Sequence, residues 1–341
     1  MTGPTDPEVF LDDTPGEMRG VIARGGRYTH LLIHRDADAP QHRLGARSVG
    51  RVTQVNPGLR GAFVDLGAEA DAFLPLGRND SLAQGARVEV VVVAEPRGGK
   101  GAAVRRLGAG EGAPRLLEPG PSIADTLRRL APGAPILTGV PAIDASREAE
   151  SEALAEVHAF PGHGLDLAVQ RTRALVAVDI DYAPAPGRDP AKGRARANAE
   201  GLRQAARLIG LKAWGGLVIV DAIGDGRDGE ALSRAVRAAF AEDSQAAFGP
   251  VSRFGLAQLS LPWTRTPVEE VLSPSGRTHA QALVRDLRRH ILTDTATARV
   301  VARCAPEEAA VATPLVAALG PRAAVVADPS VAPGRGRIQE D

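Results

Sequence analysis

Two short apolar runs, Leu175-Val-Ala-Val-Asp179-Ile-Asp181 and Leu217-Val-Ile-Val-Asp221-Ala-Ile-Gly-Asp225, each end in carboxylates. Between them, residues 194–209 place Ala195, Ala199, Leu202, Ala206 and Ile209 at three- and four-residue steps, an apolar stripe suited to a helix laid on a sheet. The pattern predicts a strand–helix–strand unit. Parallel strands need a crossover of a dozen or more residues, and 42 positions separate Asp179 from Asp221. Both acids then reach one edge of the sheet, beyond which open α/β folds bind their ligands. Two carboxylates there suit Mg²⁺, which takes one or two carboxylates together with substrate phosphate. Held by Asp179 and Asp221, the ion would activate a water and offset charge on a scissile phosphate. The plainer alternative is that each aspartate closes a strand or opens a turn.

The surrounding residues extend the α/β reading over about 165–272. Leu217–Val220 reads as the continuous apolar strand of a buried parallel sheet, and residues 229–241 as a helix burying Leu232, Val236 and Phe240. Ser252-Arg253-Phe254-Gly255-Leu256 follows and would bring Arg253 toward the same phosphate, unless it is an ordinary surface turn.

Upstream the period changes to two. Val49-Gly-Arg-Val-Thr-Gln-Val55, Gly61-Ala-Phe-Val-Asp-Leu-Gly67, Asp71-Ala-Phe-Leu-Pro-Leu76 and Arg87-Val-Glu-Val-Val-Val-Val93 predict a small closed barrel of the OB type. Phe63 and Phe73 stand on successive strands of a chain with only seven Phe. On the outside they would stack bases, with Arg51, Arg60 and Lys100 as basic company; on the inside they would simply fill the barrel. The Arg97-Gly-Gly-Lys100-Gly101 turn would offer backbone N–H groups and an ammonium to a phosphate, although it lacks P-loop spacing.

The flanks are plainer. Residues 1–15 read as a loose tail, 16–34 as a hairpin about Gly25-Gly26, and 108–121 as a Gly/Pro linker. Helix is expected over 123–130 and 142–157, with a short strand at 135–138. The last residues predict helix 280–291, strand 298–301, helix 306–319, strand 323–327 and a frayed Pro/Gly/Arg end.

Charge and cysteine usage narrow the classes. With 41 basic and 41 acidic residues, no global field draws nucleic acid, so such binding must use local patches. Cys304 is the only cysteine, which excludes an intrachain disulfide and a Cys-pair zinc site. No apolar run reaches the roughly 20 residues of a membrane helix, and residues 1–20 contain no signal-peptide core. A soluble cytoplasmic protein is expected. The seven His show no HExxH spacing, and no nucleophile elbow supports Ser/His/Asp catalysis.

Taken in order, several motifs resemble the ribonuclease E/G family. Gly50-Arg-Val-Thr-Gln-Val-Asn-Pro-Gly-Leu-Arg-Gly-Ala-Phe63-Val-Asp-Leu-Gly, Ala72-Phe73-Leu-Pro-Leu and Gly98-Gly-Lys100-Gly-Ala-Ala are similar to its RNA-binding barrel. Ala177-Val-Asp179-Ile-Asp181, Asn198-Ala-Glu-Gly-Leu-Arg-Gln-Ala-Ala-Arg, Leu211-Lys-Ala-Trp-Gly-Gly-Leu-Val-Ile-Val-Asp221 and Ser252-Arg-Phe-Gly-Leu256 resemble its deoxyribonuclease-I-like catalytic subdomain. Val325-Val-Ala-Asp-Pro-Ser and Gly334-Arg-Gly-Arg-Ile resemble the end of its small domain.

The resemblance implies a Mg²⁺-dependent endoribonuclease acting on single-stranded RNA. Asp179 and Asp221 match the family's metal-binding aspartates, and Phe63, Phe73 and Lys100 match positions that grip RNA. It also implies a layout: residues 1–46, a tail and the first part of a ribonuclease-H-like subdomain; 47–107, the inserted barrel; 108–121, a linker. The second part of the ribonuclease-H-like piece would then be 122–173, the catalytic α/β subdomain 174–272, and a small α/β domain 273–341.

Three departures qualify the match. Asp181 stands where the family carries Asn, replacing an amide by an acceptor-only carboxylate that either joins the metal shell or repels phosphate. The family's paired zinc cysteines have no counterpart between Leu272 and Ala282, which argues against its zinc-linked dimer. The stretch from Ala103 to Ser122 is too short for the family's 5′-monophosphate pocket. Two other readings therefore stay open: an RNA-binding protein of the same fold without cleavage, and a small-molecule phosphatase or phosphotransferase that leaves the barrel unexplained.

Overall fold

Alternating apolar residues and glycine turns build the first part of the chain. The computed structural model describes residues 6–78, 80–183, 190–224 and 229–340, with residues 190 and 191 described by backbone alone. It divides into two units, residues 1–150 with 268–341, and residues 151–267.

In the first unit, β1 (Glu8–Asp12), β2 (Glu17–Arg24) and β3 (Arg27–Arg35) form an antiparallel meander, with β2 and β3 turning at Gly25-Gly26 as expected. β1 corrects the reading of residues 1–15 as a loose tail. Its Val9 and Phe10 are buried, and Asp12 is 1% exposed because Arg285 Nε donates to it at 2.6 Å and Ser146 Oγ at 2.9 Å. Beside it, the fully buried Glu17 accepts from Arg19 Nε (2.7 Å), Arg35 Nε (2.5 Å) and Arg285 Nη2 (3.0 Å).

The barrel follows: β4 (Arg47–Asn56), β5 (Gly61–Asp65), β6 (Ala72–Pro75), β7 (Arg87–Ala94) and β8 (Ala103–Ala109). The order β5-β6-β8-β7-β4, with β4 also paired to β5, closes it. Val52, Ala62, Val64, Leu66, Ala72, Leu74, Val88 and Val90 fill the interior. β9 (Arg115–Glu118) then pairs with β4, so the Gly/Pro stretch holds a strand where only a linker was expected. α1 (Ile123–Leu130) opens on Ser122, whose hydroxyl accepts from Asp125 N, and packs Ile123 and Leu127 against Val9, Ile22 and Leu32. β10 (Ile136–Leu137) joins β1 in parallel, and α2 (Val140–Leu154) closes this part.

In the second unit the sheet comprises β11 (Val157–Phe160), β12 (Leu165–Arg171), β13 (Val176–Tyr182), β14 (Gly216–Asp221), β15 (Ala247–Phe248) and β16 (Ala257–Leu261). Its order is β11-β12-β13-β14-β16-β15, and β13 with β14 is the parallel pair, joined through α3 (Pro190–Leu211) as the spacing predicted. α4 (Gly229–Ala239) follows β14 and buries Val236, with Phe240 buried just beyond it.

The inner face of α3 is rotated from the expected stripe. Ala197, Gly201, Leu202, Ala205, Leu208 and Ile209 are buried, while Ala195 and Ala199 are exposed. Gly201 sets the contact: a Cβ there would lie 2.6 Å from Ile180 Cγ2, so the helix seats closely on β13 only without a side chain. β14 is not buried on both faces either. Val218 and Val220 point inward and Leu217 is 42% exposed, because helix covers one face of this mixed sheet.

The first unit resumes with α5 (Val268–Val271), α6 (Gly276–Thr293), β17 (Val300–Cys304), α7 (Pro306–Ala317), β18 (Ala323–Ala327) and β19 (Arg337–Glu340). β17 pairs with β18 in parallel and with β19 antiparallel, so the end expected to fray forms an edge strand. The whole is mixed α/β with a closed five-stranded barrel.

Candidate active site and nucleic-acid interface

The register of the second sheet gathers acids. Asp179 lies directly opposite Asp221 on the parallel pair, where neighbouring strands run about 4.8 Å apart. On the other side of β13, Asp181 lies opposite Asp166 of β12. Side chains alternate along a strand, so burial of Val178, Ile180 and Val220 turns all four aspartates to the opposite, exposed face. Burial, followed by the fields of Asp181, Asp221 and Asp166, raises the Asp179 carboxyl above the ordinary carboxylate range. Like charges across strands are destabilising, and hard oxygen donors are what Mg²⁺ takes, so this donor set fits that ion. Asp225 lies outside the described residues.

Asp166 was not singled out in the sequence, because nothing in its spacing tells which strand β12 will pair with. Asn198 was quoted only within a motif, yet its place is specific. From α3 its Nδ2 donates to Ile223 O at 2.8 Å and its Oδ1 accepts from Ile223 N at 2.9 Å. The amide thus clamps the backbone two residues past Asp221. An Asn in mid-helix, where it is a poor helix former, is the signal that marks such a residue.

Arg253 sits in a turn closed by Ser252 N donating to Leu256 O at 2.9 Å and Gly255 N to Ser252 O at 3.0 Å. Ala257 is opposite Val220, so this turn stands at the same sheet end as Asp221. The Arg253 guanidinium lies 4.8 Å from the ring centroid of Phe254, which is 73% exposed. Among the described residues, three metal-ligating atoms come within 4.8 Å of one another at His290, Asp294 and Glu340, in the other unit.

In the barrel, Phe63 and Phe73 are direct cross-strand partners with ring centroids 5.6 Å apart at 65°. Their neighbours Ala62, Val64, Ala72 and Leu74 point into the core, so both rings lie on the outer surface and do not fill the interior. Gly61 makes room: a Cβ there would be 2.2 Å from Phe73 Cζ. Lys100 is exposed in the turn that leads to β8, whose Ala103 pairs with Phe73.

That turn is not an open cradle of amides. Gly98 N donates to Glu270 Oε2 at 2.7 Å and Lys100 N to Arg97 O at 2.9 Å. Arg51 and Arg60 are both exposed, Arg60 with a left-handed φ of 50°.

Comparison with known proteins places this geometry in context. Residues 146–262 match the model of the Ribonuclease E/G family. Ribonuclease E of Haemophilus influenzae is 36% identical over 108 aligned residues, covering 26% of this chain and 11% of that protein. Ribonuclease E of Escherichia coli is 34% identical over 108 residues, covering 26% of this chain and 10% of that protein. The chain thus spans about a tenth of the length of the curated relatives it matches. Asp166, Asp179, Asn198, Asp221 and Arg253 all fall inside the matched stretch, and the barrel lies outside it.

Proposed function

We infer that this chain, which carries the ribonuclease E/G family sequence in residues 146–262, is a Mg²⁺-dependent endoribonuclease that cleaves single-stranded RNA in its processing or decay. The observation that carries the reading is the register of Asp179 opposite Asp221 within that stretch.

Asp179 and Asp221 are assigned to hold the ion, with Asp181 as a third oxygen ligand. Bound Mg²⁺ would supply a water of lowered pKa and positive charge against the scissile phosphate. Asn198 is a positioning residue for the segment after Asp221. Arg253 places a cation at that sheet end to offset phosphate charge. Phe63 and Phe73 would stack bases while Lys100 pairs with the RNA backbone. The domain division given above, a cytoplasmic location and an assembly without the family's zinc link belong to the same proposal.

A second reading, an RNA-binding protein without cleavage, is favoured by Asp181 facing Asp166, since four carboxylates repel a phosphate. Removing Mg²⁺ with EDTA separates the two. An enzyme stops cutting but keeps its RNA, whereas a binder holds RNA and cuts it neither with Mg²⁺ nor without. Cleavage is expected at equal rates on 5′-hydroxyl and 5′-monophosphate RNA; a strong monophosphate preference would refute that expectation.

A further inference from the structure

The last strand of the first unit meets the end of a helix at three metal-ligating side chains. His290 is in the last turn of α6, Asp294 caps that helix four residues on, and Glu340 stands on β19 opposite Val300 of β17. His290 Nε2 lies 3.1 Å from Glu340 Oε1 and 4.0 Å from Asp294 Oδ2. All three residues belong to the first unit, whereas Asp179 and Asp221 belong to the second.

The plain account is an ion pair between His290 and Glu340, and it leaves the ring nitrogen unexplained. Nε2 is shielded from solvent yet makes no hydrogen bond, the Glu340 oxygen at 3.1 Å included. Buried polar atoms are nearly always satisfied, and one that is not calls for an ion or a water. Ligand atoms bonded to Zn²⁺ at about 2.0–2.2 Å stand roughly 3.3 Å apart in a tetrahedron. The separation of His290 from Glu340 is close to that, and Asp294 needs to move by less than about 1 Å.

The Asp294 carboxylate is already oriented. Its Oδ1 accepts from Ala296 N at 2.8 Å and Thr297 N at 3.4 Å, which leaves Oδ2 toward the ring. Arg322 pins the same loop, its Nη2 donating to Asp294 O at 2.8 Å and Thr297 O at 2.6 Å. Hydrogen bonds of this kind fix a ligating carboxylate in place. The C-terminal end of a helix also favours a cation.

We propose that His290, Asp294 and Glu340 bind a divalent transition-metal ion of the Zn²⁺ class, which fastens β19 to the end of α6. One imidazole and two carboxylates suit such an ion better than Mg²⁺, which takes oxygen ligands. Three protein ligands leave a fourth position to water. The nuclease reading is not needed for this site, since all three residues lie outside the matched stretch 146–262.

The test is calorimetric titration of Zn²⁺ into the full chain, carrying no affinity tag, stripped with EDTA and then dialysed. The wild type and Asp221→Asn are expected to share a Zn²⁺ site that His290→Gln weakens at least about 100-fold. Glu340→Gln, at an exposed edge position whose change spares folding, should weaken it about tenfold or more. Zn²⁺ should also raise the Tm of the wild type and of Asp221→Asn, but not that of His290→Gln. Equal Zn²⁺ affinity in the wild type and His290→Gln, or a site lost with Asp221→Asn instead, would overturn the assignment and leave His290 and Glu340 an ordinary ion pair.

Discussion

Asp181 and Asp166 face one another across a strand pair, beside Asp179 and Asp221 in register on the next. A sheet does not gain from such crowding, since like charges opposed on neighbouring strands repel. A bound divalent cation would relieve it and, by binding only the folded state, would raise stability. Mg²⁺ is therefore expected to raise the Tm of the wild type, and Asp221→Asn to lose most of that rise. Asp181→Asn, which restores the amide of the family motif, should melt higher than the wild type without Mg²⁺. Thermal melts with and without the ion check all three, and a Tm indifferent to Mg²⁺ would count against the site. Asp179 and Asp221 were legible because each ends an apolar run. Asp166 and Asn198 were not, because their partners are fixed by strand pairing and helix docking, which sequence spacing does not encode.

Among the elements, β1 and β2 depend on ion pairs that no hydrophobic pattern announces. Burial raises the Glu17 carboxyl, but Arg19, Arg285 and Arg35 outweigh it and bring it down to about 2 from an ordinary 4.5. A depressed carboxyl contributes stability that is fully present above about pH 4.5 and is lost as pH falls through 2. Its shift corresponds to roughly 3 kcal/mol at neutral pH. Glu17→Gln leaves the buried Arg19 and Arg285 short of a counter-charge and should cost about 3–5 kcal/mol. Urea unfolding at pH 7 and pH 3 measures both. A variant as stable as the wild type at pH 7 would show the network to be idle.

The barrel was the most legible element, because period-two alternation and glycine turns survive in sequence. Which face the phenylalanines take was not, since neither face is marked by Phe63 or Phe73 alone. Their outward placement predicts that Phe73→Ala weakens single-stranded RNA binding about tenfold while the barrel stays folded. A loss of fold, with no separate binding defect, would return Phe73 to a structural role.

At the scale of the whole molecule, the family match covers residues 146–262 and the barrel supplies a second, chemically distinct surface. With no net charge to draw RNA generally, the proposed function takes its affinity from local groups such as Lys100 and Arg253 and its cutting from the paired aspartates. The most direct test of that division is cleavage of a fluorescent, A/U-rich single-stranded RNA by the wild type and Asp221→Asn, in Mg²⁺ and in EDTA. The expected result is cutting by the wild type in Mg²⁺, at least about 100-fold slower for Asp221→Asn and none in EDTA. RNA that stays bound and intact under every condition would contradict the nuclease and leave a binding protein.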